Sequence, residues 1–218
     1  MRILLRVKSP TPANSLALPP SLIRVTARPQ RVLDFDCECR PLTFLGDINT
    51  KEITAMAWAW TDRPDDVTCY LLGDTDLPDM LRAFVEAYTQ ADLVTGHYIR
   101  GFDLPLINGA LTEYFLPPLG DKLTHDTKLD AVRRHGMSNS QESWAAQLDC
   151  DHAKEQMDQI KWRKANRLTA DGLAEARRRV CGDVTQHIEL RAKMQRLGYL
   201  SAPVYWSCGA AVAEAYTP

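Results

Sequence analysis

A short apolar segment near the start of the chain carries three acids at alternating positions. Residues 32–39 read Val-Leu-Asp-Phe-Asp-Cys-Glu-Cys, and their apolar members favour a buried strand. Because side chains alternate along a strand, Asp34, Asp36 and Glu38 should point to one face. Buried carboxylates are costly alone and repel each other, and a hard cation such as Mg²⁺ or Mn²⁺ relieves both problems. Alternatively, the strand ends near Asp36 and the acids lie in water.

Charge and cysteine usage narrow the classes of function. The net charge is −2, so a role in nucleic-acid binding would need a local basic patch. Six cysteines without a CxxC pair argue against a zinc site and a disulfide scaffold, and fit a reducing compartment. Residues 1–8 are too short and too charged for a signal peptide, and no apolar run has transmembrane length. We therefore expect a cytoplasmic protein without a membrane partner.

The hydrophobic pattern predicts an α/β domain over residues 31–197, between an irregular proline-rich leader (1–30, with a short strand near 22–26) and an unassigned tail (198–218). Strands are predicted at 31–38, 52–60, 67–72, 92–96 and 123–126. Helices are predicted near 77–88, 102–115, 127–135, 140–148, 153–166 and 169–197. The first three strands have short connections, which favours an antiparallel meander. The order as a whole predicts a mixed sheet with helices on both faces.

Two further acids lie in notable contexts. Asp103 follows a glycine-rich loop and opens a predicted helix, where it could alternatively be an ordinary N-cap. Asp183 lies inside a helical pattern between apolar residues of the face that should pack, although a solvated position is equally open. Both could add carboxylate ligands to those of the first strand.

Three segments, taken in order, resemble the DEDD superfamily of 3′–5′ exonucleases. Phe35-Asp36-Cys37-Glu38 is similar to the first motif of that family. Residues 96–105 (Gly-His-Tyr-Ile-Arg-Gly-Phe-Asp-Leu-Pro) resemble the second, in the form found in B-family polymerases and related stand-alone nucleases. Residues 181–184 (Cys-Gly-Asp-Val) resemble the third, and residues 125–129 and 140–148 resemble the strand and helix between them. The resemblance covers about residues 31–197.

This resemblance implies a ribonuclease-H-like fold with a five-stranded mixed sheet. It implies that two Mg²⁺ or Mn²⁺ ions, roughly 3.5–4 Å apart, are bound by four carboxylates: Asp36, Glu38, Asp103 and Asp183. The reaction would remove nucleoside 5′-monophosphates from the 3′ end of single-stranded nucleic acid. DNA is favoured over RNA because the family includes polymerase proofreading domains, and the chain would act alone or with a DNA polymerase or another replication protein.

The third motif departs from the family at the residue that activates water. The family has a tyrosine four residues before the aspartate or a histidine five before, and this chain has Arg179 and Arg178 there. Arginine stays protonated and cannot act as a base. Three alternatives remain: His187, Tyr98 or His97 substitutes, the metal alone suffices, or catalysis is lost and a nucleic-acid-binding replication or repair module remains. Arg179 could also contact a substrate phosphate.

Candidate contacts with nucleic acid lie in two regions. Residues 154–179 have a local excess of lysine and arginine that could follow a phosphate backbone, with Trp162 stacking on a base. The alternative is a solvated helical face with Trp162 packed on the core. Tyr98, in the loop of the second motif, is predicted to lie beside a terminal base, and Phe102 is a further candidate for substrate binding. A nuclease directed at RNA or at a particular nucleic-acid structure fits the same residues.

Overall fold

A computed structural model describes residues 28–42, 50–132, 136–152 and 156–209 of the chain. The strands are β1 Val32–Pro41, β2 Lys51–Trp60, β3 Thr68–Leu71, β4 Leu93–Gly96, β5 Lys122–Asp126 and β6 Val204–Trp206. The helices are α1 Leu77–Gln90, α2 Asp103–Glu113, α3 Gln141–Gln147, α4 Gln159–Asn166 and α5 Ala170–Arg196. In the part of the chain described, no helix is both long and apolar enough to cross a membrane.

The strands form one sheet in the order β3-β2-β1-β4-β5-β6. Neighbours β1, β2 and β3 pair antiparallel, while β1, β4 and β5 pair parallel. The predicted mixed α/β sheet is therefore confirmed, with β1 at its centre. The sheet has one strand more than predicted: β6 pairs antiparallel with β5 in a segment where no element was assigned. Three residues at a sheet edge give too short a pattern to be recognised from the sequence.

Helices cover both faces of the sheet, as the pattern predicted. On one face, Phe35 of β1 and Trp58 of β2 pack with α1 and α2 in the larger apolar core. On the other face, the alanines of β2 pack against Val180 and Val184 of α5. Since these alanines are small, the long helix can lie close to the sheet. The side chains of Asp36 and Glu38 share this second face, because each stands opposite one of the alanines.

The prediction of a helix over residues 127–135 is wrong where the structure describes that segment. Residues 127–130 form a turn, and residues 133–135 lie outside the described ranges. The carboxylate of Asp126 accepts hydrogen bonds from the backbone N–H groups of Lys128 and Leu129, and Asp130 accepts from that of Asp126. Side chains of this kind offer the backbone an alternative to helical bonding. The helical turn that begins here is therefore not continued.

The remaining helices differ from prediction mainly at their ends. Helix α4 begins at Gln159, not near residue 153, because the side chain of Asp158 accepts from the N–H groups of Ile160 and Lys161 and caps the helix there. Residues 153–155 lie outside the described ranges, as does the predicted strand near 22–26. The long helix α5 and the short α3 agree with prediction within a residue or two.

Candidate functional site

Helix α5 and strand β1 bring their polar residues together at two levels. Asp34 contacts His187, while Asp36 and Glu38 lie beside Asp183, so the helix runs opposite to the strand. Residues four apart on a helix are separated by about 6 Å along its axis. Residues two apart on a strand are separated by about 6.8 Å. Because these two spacings nearly match, both sets of residues meet across the same interface. We call the contact of Asp34 with His187 the lower level, and the contact of Asp36 and Glu38 with Asp183 the upper level.

Three carboxylates converge at the upper of these levels. Asp36, Glu38 and Asp183 each offer an oxygen, and the three oxygens all lie within 4.8 Å of one another. Asp183 is buried, whereas Asp36 and Glu38 are half-buried and keep an opening to solvent. Oxygen donors at this density fit Mg²⁺ or Mn²⁺, and their mutual repulsion favours a cation between them. We call these three residues the carboxylate cluster.

Asp103 borders the carboxylate cluster from helix α2. Its carboxylate is 3% exposed and accepts a hydrogen bond of 3.2 Å from the backbone N–H of Cys37, which lies between Asp36 and Glu38 in β1. Burial raises the pKa of Asp103 to about 7, the nearby charge of Glu38 adds to the rise, and the hydrogen bond from Cys37 opposes it. The helix has Phe102 at its N-cap position. The N-cap alternative for Asp103 therefore does not hold.

Arg179 is inserted among these acids. Its Nε lies 2.9 Å from the Asp183 Oδ2 and 3.5 Å from the Glu38 Oε1, and one terminal nitrogen lies 4.0 Å from Glu142. Its side chain is 15% exposed. Four residues separate Arg179 from Asp183, so both lie on the same face of α5. The structure thus supplies the carboxylate cluster with a positive charge from the chain itself.

The loop after β4 is held in shape by Asp126, a residue that the sequence analysis did not single out. Asp126 is fully buried, and its carboxylate accepts from the backbone N–H groups of Tyr98 and Arg100 at 2.9 and 3.0 Å. Tyr98 has a positive φ of 75°, and a Cβ at Gly101 would lie 2.3 Å from the Tyr98 ring. Gly101 is therefore required where the loop folds back on Tyr98. The available signal was an acid at the end of a buried parallel strand, next to the loop.

His187 is enclosed by two hydrogen bonds at the lower level. Its Nδ1 lies 2.6 Å from the Asp34 Oδ2 and its Nε2 lies 2.8 Å from the Thr127 hydroxyl. Thr127 also contacts Nδ1 of His97 at 2.9 Å. Because both ring nitrogens of His187 are engaged inside the protein, it has no nitrogen left for a water at the carboxylate cluster. Thr127 was not singled out from the sequence, and Asp34 was expected only to share a face with Asp36 and Glu38.

The predicted substrate contacts occupy different environments. Tyr98 is 36% exposed, with the ammonium of Lys128 4.1 Å from its ring centroid. Phe102 is half-buried, with Lys51 4.6 Å from its ring centroid. Each ring thus lies beside a cation at the loop that leads into Asp103. Trp162, in contrast, packs on the apolar cluster beneath α5, in keeping with the core-packing alternative.

Comparisons with known proteins identify the fold alone. No protein-family model matches the chain, and no curated protein matches its sequence. Among solved structures, the chain is similar to the family B DNA polymerase from the hyperthermophilic archaeon Pyrobaculum calidifontis, with a TM-score of 0.59 and 16% sequence identity. The similarity covers 77% of this chain and 25% of the polymerase chain, so the chain spans about a quarter of that enzyme. The fold agrees with the ribonuclease-H-like architecture expected from the sequence.

Proposed function

We propose that the chain is a metal-dependent 3′–5′ exonuclease that hydrolyses phosphodiester bonds at the 3′ end of single-stranded nucleic acid and releases nucleoside 5′-monophosphates. The observation that carries this proposal is the convergence of Asp36, Glu38 and Asp183, with Asp103 buried beside them. The motifs that resemble DEDD exonucleases occur at these four residues. The fold similarity to part of a DNA polymerase supports DNA over RNA as the substrate.

The same four carboxylates would hold the two divalent ions, Mg²⁺ or Mn²⁺. When bound, such ions supply activation of the attacking water and stabilisation of the leaving 3′-oxygen. The half-buried positions of Asp36 and Glu38 leave the cluster accessible to a chain end. Tyr98 and Phe102 would flank the terminal base, and the neighbouring ammonium groups of Lys51 and Lys128 add positive charge near the sugar-phosphate backbone.

The site differs most from the resembled family in the residue that would accept a proton from the attacking water. Arg178 and Arg179 cannot accept a proton. His187 is engaged on both nitrogens, and His97 is bonded through Nδ1 to Thr127. A positioned general base contributes on the order of 10²–10⁴ to a rate. We therefore expect turnover that is slow for a nuclease, with Tyr98, which is exposed on the loop after β4, as the leading candidate base.

The experiment is a degradation assay on single-stranded DNA and RNA, each labelled separately at the 3′ and 5′ ends, in Mg²⁺, Mn²⁺ or EDTA. Loss of the 3′ label before the 5′ label, with nucleoside 5′-monophosphates as products, is the expected result. Asp36→Ala and Asp183→Asn should lower the rate by at least about a hundredfold, because they remove ligands directly. Asp171→Asn is the matched control on α5, since Asp171 is exposed and lies in the first turn, away from the cluster.

A second candidate function is a nucleic-acid-binding accessory module that keeps the fold without turnover. The observation that favours it is the ion pair of Arg179 with Asp183 and Glu38, which replaces part of the role of a metal. The same assay separates the two. Retained binding of the labelled strand, with no degradation in either metal, would leave the binding module and exclude the exonuclease. Degradation confined to RNA would instead support an RNA-directed nuclease.

A further inference from the structure

Arg179 has a different environment from its neighbour Arg178, although both follow one another on α5. The side chain of Arg178 is 55% exposed and pairs with Glu175, one turn earlier on the same helix. The side chain of Arg179 is turned into the sheet interface, where its Nε is shared between Asp183 and Glu38. One arginine thus lies on the solvent side of the helix, and the other lies inside the carboxylate cluster.

The position of Arg179 gives it the same partners that a divalent cation would have. Glu38 and Asp183 are two of the three residues whose oxygens converge within 4.8 Å. A guanidinium and a metal ion are both attracted by the negative charge there, and each satisfies the same oxygen lone pairs. Both cannot use those lone pairs fully at once. A metal ion that binds the oxygens facing Arg179 therefore weakens the contacts of the guanidinium.

Glu142 provides a second place for the guanidinium. It lies in the first turn of α3, its side chain is 47% exposed, and its Oε1 is 4.0 Å from the terminal nitrogen of Arg179. A small rotation of the arginine side chain toward Glu142 would release Asp183 and Glu38 without leaving the positive charge unpaired. A substrate phosphate could take the same position, because arginine binds phosphate as readily as carboxylate.

We propose that Arg179 is a built-in counter-ion of the carboxylate cluster, which competes with divalent cations for Glu38 and Asp183 and lowers their affinity. This inference rests on the proposed function, because it takes the cluster to be the metal site. Arg179 stands where the resembled family has its tyrosine, and its role here is to regulate how much metal the cluster binds. The chain would then be loaded with metal only at concentrations high enough to displace the arginine, or when a phosphate draws the guanidinium away.

The test is titration of the full chain with Mn²⁺ at fixed pH and ionic strength, followed by calorimetry and by the loss of the free Mn²⁺ spin-resonance signal. We expect Arg179→Gln to bind Mn²⁺ on the order of tenfold to a hundredfold more tightly than the unchanged chain, since a charged hydrogen-bonded competitor is removed. Arg178→Gln is the matched control, with the same change of charge on the neighbouring residue. Its Mn²⁺ affinity should change by less than about threefold, through the long-range effect of charge alone.

The outcomes separate this inference from the proposed function. Equal or weaker Mn²⁺ binding by Arg179→Gln than by the unchanged chain overturns the counter-ion role, while the metal centre stands. No Mn²⁺ binding by any of the proteins overturns the metal centre and the inference together. Binding by Arg179→Gln alone supports the counter-ion role and favours the accessory module over the enzyme. If Arg179→Gln does not fold, Arg179→Lys decides, because an ammonium keeps the charge but fits the two carboxylates less well. Its Mn²⁺ affinity should rise, and an unchanged or lower affinity overturns the inference.

Discussion

The two polar levels between β1 and α5 are built from the same elements but differ in their burial and in their charge. At the lower level, Asp34 is fully buried and bonded to His187, which is bonded in turn to Thr127. At the upper level, Asp36 and Glu38 are half-buried, and in the described part of the chain Arg179 contacts Glu38 and Asp183. One level is closed by partners from the chain, and the other is open to solvent and rich in negative charge.

The difference teaches how one scaffold can carry both a structural and a functional acid. Burial raises the pKa of Asp34, while His187 and the nearby charge of Arg191 oppose that rise. The chain thus balances the cost of this buried acid with its own side chains. At the carboxylate cluster two of the acids are half-buried, and we propose that an added cation balances their charge. We therefore expect substitutions at the lower level to act on folding and those at the upper level to act on binding.

The largest expected effect on stability comes from breaking the lower level. His187→Ala should reduce the free energy of unfolding by about 3–5 kcal/mol, because it leaves Asp34 buried with its principal partner removed. Urea denaturation, followed by circular dichroism, measures this change. His152→Ala is the matched control, since His152 pairs with Glu189 on the surface with its side chain 53% exposed. Its effect should stay within about 1 kcal/mol.

A loss below about 1 kcal/mol for His187→Ala would contradict the closed character of the lower level. A double-mutant cycle with Asp34→Ala sharpens the result, because directly bonded residues show coupling energies of about 0.5–3 kcal/mol.

The next effect is a pH dependence that originates at Asp103, beside the upper level. The folded-state pKa of about 7 lies above the ordinary value of 3.8, so between these values the folded chain holds a proton that the unfolded chain has released. Stability from this group is therefore complete below about pH 4 and declines as the pH rises toward 7. Asp103→Asn should remove that decline, which urea denaturation between pH 4.5 and 7.5 in EDTA would reveal.

Mn²⁺ should oppose the decline in the unchanged chain, because a cation favours the ionised carboxylate. The wild-type and Asp103→Asn proteins are compared at each pH, so that slopes from other acids such as Asp34 cancel. Identical slopes in the two proteins would mean that Asp103 ionises as freely as an exposed acid and does not belong to the upper level.

The sequence predicted the upper level better than the lower one. Alternation in residues 32–39 correctly placed Asp34, Asp36 and Glu38 on one face, and the helical pattern correctly gave α5 a single long span. Acids in apolar segments are conspicuous because they conflict with burial. Thr127 and Asp126 are harder to recognise, since Thr127 lies in a turn where polar residues are common, Asp126 ends β5, and the partners of both come from distant parts of the chain.

The segment that begins at Thr127 is also where the hydrophobic pattern predicted the wrong secondary structure. A helical periodicity was visible across residues 127–135, but two aspartates use their side chains to bond the backbone and hold a turn instead. Such competition depends on side-chain positions that a sequence pattern does not specify. For Arg179, the spacing of four residues places it on the same helix face as Asp183, but the sequence does not show that Glu38 of β1 lies opposite that face.

The smallest expected effect comes from Glu142, at the outer edge of the upper level. Glu142→Gln should change the free energy of unfolding by less than about 0.5 kcal/mol, because an exposed pair at 4.0 Å contributes little. Urea denaturation beside His187→Ala tests this contrast directly. The contrast matters because the His187 contact is short and buried, whereas the Glu142 contact is long and exposed. A loss of more than about 2 kcal/mol would show that Glu142 fixes Arg179 in place, and that the upper level is closed by the chain in the same way as the lower one.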